Sequence, residues 1–134
     1  MLEELNGVFK DVINLARDCR VYYEKQSIGS SPKDIHEFTK SSKGKELNKK
    51  EELLDNYLEN LDFETIKTLQ TIMYLGRDKE HDRGDTPEEI YRKERAYSDS
   101  RGWETKSIEI NQMTEKAPLD IYLKSGLEIL QIRY

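Results

Sequence analysis

Apolar residues in this chain return at three- and four-residue steps, separated by short polar interruptions. Leu5, Val8, Phe9, Val12, Ile13, Ala16, Cys19 and Tyr23 form the first such stripe, which predicts a helix from about Leu2 to Lys25. The spacing then fails across SIGSSPKDIHEFTKSSKGK, where Gly29, Pro32, Gly44 and several serines intervene. Residues 27–47 are therefore expected to be a flexible, lysine-bearing loop. Within it, Ser31-Pro32 is placed to cap a short helical turn around Asp34–Thr39. A second helix is expected from Asn48, with Glu51 completing an approximate capping box and Leu54, Tyr57, Leu58 and Leu61 on its face.

Asp62 reads as the next N-cap. Phe63, Ile66, Leu69, Gln70, Ile72, Met73 and Leu75 then make a helix apolar over more than half its circumference, as expected of a central element. Gly76 is expected to end it in the left-handed conformation, with Arg77 pairing a carboxylate or the free carbonyls beyond the cap. The strongest local signal is Thr86-Pro87-Glu88-Glu89, with threonine at N-cap, proline at N1 and glutamate at N3. That helix carries Ile90, Tyr91, Glu94 and Tyr97 and weakens over Ser98–Gly102. A further helical stretch uses Trp103, Ser107, Ile110, Met113 and Ala117, with Trp103 read as a core plug. Pro118 opens the last helix, which the terminal ILQIRY is expected to continue. No segment alternates as a half-buried strand would. The pattern predicts an all-α fold, a single compact domain over residues 1–134 with five to seven helices and no disulfide.

Composition narrows the class. At 134 residues, folding buries roughly two-thirds of the unfolded chain's surface, so neither a disulfide nor a metal staple is required. Charged residues are 37% of the chain, and no apolar run approaches the ~20 residues of a bilayer span. The opening MLEELNGVF carries acids where a signal peptide carries bases, and the one cysteine suits a reducing compartment. A cytoplasmic protein with no membrane partner is expected.

The net charge of −5 hides a segregation. Residues 78–89 hold six acids (Asp78, Glu80, Asp82, Asp85, Glu88 and Glu89) against two bases, and residues 46–64 hold seven against two. Phosphate recognition needs clustered Lys and Arg, so a nucleic-acid partner is not expected. Acidic segments are most often only solvated helix faces, but when they do meet a partner it is a basic one.

Candidate chemistry is sparse. A calcium loop read from Asp78 places Asp78, Glu80, Asp82 and Glu89 at ligand positions, yet Arg83 stands where the sharp turn needs glycine. No metal and no other cofactor is expected. Cys19 lies on an apolar stripe, where thiols are usually inert, and His36 and His81 have no zinc-type spacing with it. With no glycine-rich phosphate loop and no nucleophile or metalloprotease motif, an enzyme is not expected. Carboxylates are abundant enough to keep a paired-acid hydrolase as the least favoured alternative. Eight tyrosines are present, of which Tyr57, Tyr91 and Tyr122 fall on apolar faces while Tyr74 and Tyr97 are more open.

Three segments, VINLARDCR, LDFETIKTLQTIMYLGRD and APLDIYLKSGLEIL, are similar to, and in the same order as, elements of an uncharacterised bacterial domain-of-unknown-function family, number 3775, which the chain resembles over nearly its whole length. The chain departs from that family's pattern at Asp78, where the family tends to have glycine. The shared positions, among them Gly76, Arg77, Pro118, Tyr122 and Gly126, are caps and packing residues, so the resemblance implies a helical fold and no activity.

In type, the small acidic chain looks like the immunity proteins of contact-dependent growth inhibition. The expected function is that of an immunity protein or antitoxin covering the active site of a basic cognate toxin domain, of which RNA-cleaving nucleases are the natural case. The expected contact residues are Asp78, Glu80, Asp82, Asp85, Glu88 and Glu89, with Glu51, Glu52, Asp55 and Glu59 as a second patch. The alternative is a regulatory or phage-encoded helical domain with another protein partner.

Overall fold

The computed structural model describes residues 1–116 and 118–134. These residues form seven α-helices and no strand. A 3-10 turn at Glu3–Leu5 leads into α1 (Asn6–Glu24). There follow α2 (Pro32–Lys40), α3 (Ser42–Glu59), α4 (Phe63–Asp78), α5 (Pro87–Arg101), α6 (Lys106–Glu115) and α7 (Leu119–Ile129). Five of the seven start on a side-chain cap. The Ser31, Ser41, Asp62, Thr86 and Thr105 side chains each accept from a first-turn N–H, which sets where their helices begin. At Thr86 the reciprocal bond from its own N–H to Glu89 completes the capping box.

The segment expected as a loop is largely helical. α3 begins at Ser42 rather than Asn48, because the Ser41 hydroxyl accepts the Gly44 N–H and the first two turns bury Gly44 and Leu47. Asn48 is interior to this helix and donates to Glu52 across one turn, so Glu51 is a face residue and not part of a cap. Gly44 is required by the α2–α3 junction, since a Cβ there would lie 2.0 Å from the Phe38 carbonyl oxygen.

α4 is central, as its pattern predicts: Ile66, Leu69, Ile72 and Met73 are fully buried. It packs most extensively against α7 and also meets α5 and α6, while α3 packs on α1, α2 and α6. Gly76 does not end α4. The helix runs on to Asp78, and the left-handed residue is Lys79, whose N–H bonds the Leu75 carbonyl. Gly76 is there for contact with α7: a Cβ on it would sit 1.8 Å from the Tyr122 carbonyl oxygen, and one on Gly126 would sit 2.0 Å from that of Ile72. Two glycines face to face let the backbones of α4 and α7 approach more closely than side chains allow.

The other termini also follow from local bonds. α5 continues to Arg101 through the stretch expected to weaken, and Gly102, at φ 86°, ends it. The ILQIRY segment does not extend α7. The helix stops at Ile129, with Ile132 and Gln131 donating back to Leu127 and Glu128 in a Schellman arrangement around a left-handed Gln131. Ala117, expected on the face of α6, lies outside the described residues. One contiguous apolar cluster joins all the long helices, from Phe9 and Val12 on α1 to Leu123 and Leu127 on α7. No described helix is long and apolar enough to cross a membrane.

Candidate functional site

The two acidic sets stand on different elements and in different electrostatic states. Residues 79–86 connect α4 to α5, and most of the acids there already have internal partners. Asp78 accepts from the Arg77 guanidinium at 2.8 Å, the carboxylate pairing expected for that arginine, which also covers the Tyr74 ring at 4.6 Å. Lys93 on α5 gathers Asp82 at 3.2 Å and Asp85 at 2.7 Å, folding the loop back on the helix it precedes. Glu89 is committed to the capping box. Only Glu80 and Glu88 of this set are exposed and without a partner among the described residues. The loop, together with Ile90 and Glu94, borders a shallow cleft of about 510 Å³.

The second set is arranged otherwise. Glu51, Asp55 and Glu59 follow one another at four-residue steps along α3, with Glu52 beside them, flanking the buried stripe of Leu47, Leu54 and Leu58. Glu52 accepts from Asn48 and Glu59 from Ser107, both neutral. No Lys or Arg among the described residues forms an ion pair with any of the four; Lys50 instead lies over the Tyr22 ring at 5.3 Å. Partial burial raises Glu51 above the ordinary carboxylate range, and the Asp55 charge raises it further. Asp55 is raised likewise by burial, then by Glu59 and Glu52. Like charges at this spacing repel, so the ladder costs the isolated protein stability.

Cys19 faces the same ladder from α1. Burial first, then Glu51 and Asp18, push its thiol up to about 11, so it is not a nucleophile near neutral pH. Further along the same pair of helices, Tyr57 of α3 donates to Asp11 of α1 at 2.8 Å and holds the two in register.

A third arrangement was not evident from the sequence. Trp103 is not a core plug. It is half-buried, its indole N–H donates to Asp99 at 2.7 Å, and the Lys67 and Arg95 cations lie over its ring at 5.7 and 5.9 Å. It lines a cleft of about 440 Å³ formed by α4, α5 and α6, whose floor holds Gln70 and Glu109. Each of these is only 4% exposed. Glu94, raised by burial and by the charges of Asp78 and Glu80, stands between this cleft and the first. The signal available in sequence was a glutamine on the apolar face of α4, and a glutamate between Ile108 and Ile110. No cluster of three or more potential metal ligands occurs among the described residues.

Compared with known proteins, the chain matches no family model, no curated protein and no solved structure.

Proposed function

We propose that this protein is an immunity protein or antitoxin that neutralises a basic toxin domain, and that it does so with the acidic face of α3. The observation that carries the reading is the contrast between the two acidic sets. The loop acids are mostly spent on Arg77, Lys93 and the α5 cap, whereas Glu51, Glu52, Asp55 and Glu59 have no cationic partner among the described residues. A face of like charges that is partly desolvated and unneutralised gains most when a cationic surface covers it. A cleft that binds RNA phosphates has the complementary sign, which makes an RNA-cleaving toxin of a contact-dependent growth inhibition system the fitting target. Exposed Glu80 and Glu88 serve as a secondary patch. The resemblance to the uncharacterised bacterial family belongs to the same proposal and adds no activity to it.

The test is a comparison of the wild-type chain with Glu51→Lys/Asp55→Lys as bait in lysate of the source bacterium. The wild type should retain one stoichiometric basic protein at low salt, release it as salt rises, and inhibit that protein's activity after purification. The charge-reversed bait should lose it, while Glu88→Lys keeps most of the affinity. Equal retention and equal salt dependence by the α3 variant, or a retained protein whose activity is not inhibited, would sink the proposal.

A further inference from the structure

The cleft between α4, α5 and α6 has a floor of hydrogen-bond acceptors to which nothing donates. Gln70 and Glu109 line it and are each 4% exposed. The Gln70 Oε1 is buried without a partner among the described residues. The Glu109 carboxylate takes no hydrogen bond and no ion pair from those residues either; the nearest side-chain bond on its helix is the Thr105 cap to Ile108. A buried amide oxygen without a donor is unfavourable, and the Glu109 carboxylate, reaching the cleft from a residue otherwise covered, has no cation paired to it among the described residues.

The walls narrow the choice of ligand. Tyr74 and Tyr97 both line it, and each already carries a guanidinium over one face, Arg77 at 4.6 Å and Arg101 at 5.7 Å. An anion would find Arg77, Arg101 and Lys116 on the lining, but only a carboxylate and an amide oxygen at Glu109 and Gln70. An ammonium is a compact, strongly hydrated charge that leaves water behind with difficulty. A guanidinium is more weakly hydrated, stacks on aromatic rings, and carries five N–H donors in one plane. It can bond a carboxylate through two of them and still reach an amide oxygen with a third.

We infer that this cleft binds a guanidinium group, with the Glu109 carboxylate accepting two of its N–H bonds, the Gln70 amide turning its covered Oε1 toward it to accept another, and Tyr74 and Tyr97 flanking its plane. The site lies on elements other than the α3 face, and its test involves no toxin, so either can fail without the other.

Trp103 is the only tryptophan of the chain and borders the cleft, so its fluorescence reports occupancy. The probes are ethylguanidinium, Nα-acetylarginine amide, and Nα-acetylcitrulline amide as the neutral isostere. Both guanidinium probes should give a saturable change and the citrulline amide none. Glu109→Gln, which keeps the shape and removes the charge, should weaken binding by about tenfold or more with the helical circular dichroism unchanged. If that variant does not fold, Gln70→Met, which keeps the bulk and removes the amide, should weaken it by a smaller factor. Tighter binding of the arginine amide than of ethylguanidinium assigns the group to a peptide side chain; equal binding assigns it to a small molecule. No saturable response, an equal response to the citrulline amide, or full affinity in the folded variants would overturn the inference.

Discussion

Cys19 shows how the environment of a single side chain decides its chemistry. Its helix is amphipathic and its thiol faces the acidic side of α3, so burial and the Glu51, Asp18 and Asp55 charges together oppose the thiolate, against the smaller help of Lys50. Only the thiolate attacks an alkylating agent. Iodoacetamide labelling of the native protein should therefore be slow at about pH 8, where an ordinary thiol reacts readily, and should continue to accelerate toward the raised value. Glu51→Gln removes the largest charge acting against the thiolate and should speed labelling at about pH 8 several-fold. Mass spectrometry of quenched time points gives the rates. An unchanged rate in the variant would place Glu51 away from the thiol and weaken the case that the α3 acids act as one field.

Between elements, the decisive contact is the crossing of α4 and α7. Backbone atoms of Tyr122, Gly126 and Ile72 occupy the space that a Cβ at Gly76 or Gly126 would need, and backbone cannot rotate aside as a side chain can. Gly76→Ala and Gly126→Ala should each destabilise the fold by about 3 kcal/mol or more, the upper range for overpacked cores. Gly7 is the control: it is exposed in the first turn of α1, with nothing within 4 Å of where a methyl group would stand, so Gly7→Ala should stabilise by about 0.5 kcal/mol. Urea unfolding followed by circular dichroism distinguishes the two classes. Gly76 also marks the limit of what sequence could tell. The caps at Ser31, Asp62 and Thr86 were legible because their bonds are made within four residues, and the stripes of α1 and α4 because periodicity reports burial directly. A glycine near a helix end reads as a stop, and only the approach of α7, some fifty residues on, makes it a packing residue. The start of α3 was missed for a related reason: Gly44 and its neighbouring lysines look like loop composition, while the burial of Gly44 and Leu47 depends on where α2 lies. The Gln70–Glu109 cleft needed three helices in place before two isolated polar residues became neighbours on one floor.

At the scale of the whole molecule, three carboxylates link stability to pH in a direction opposite to the usual one for their kind. Glu51, Asp55 and Glu94 are raised above the ordinary range, each by burial first and by neighbouring acids second. A carboxylate whose folded value is raised binds its proton more tightly in the native state than in the unfolded chain. Its contribution to stability is fully present below the unfolded value and is lost as pH rises through the folded one. Asp62 and Asp99 act in the other sense, lowered by bonds from Thr65 and Trp103, but both are exposed and their effect is screened. The double variant Glu51→Gln/Asp55→Asn removes two of the raised groups. It should be more stable than the wild type at about pH 7, with the difference smaller at about pH 4, because Glu51 and Asp55 take up protons more readily in the folded protein than in the unfolded chain. Denaturant midpoints of both proteins at the two pH values measure this. A difference that stays constant with pH would mean the two substitutions act through packing instead of charge. If the difference closes, the free protein maintains at neutral pH a charged face that destabilises it. A cationic partner of the kind proposed would relieve that repulsion, and the stability lost to the ladder would return as affinity in that complex.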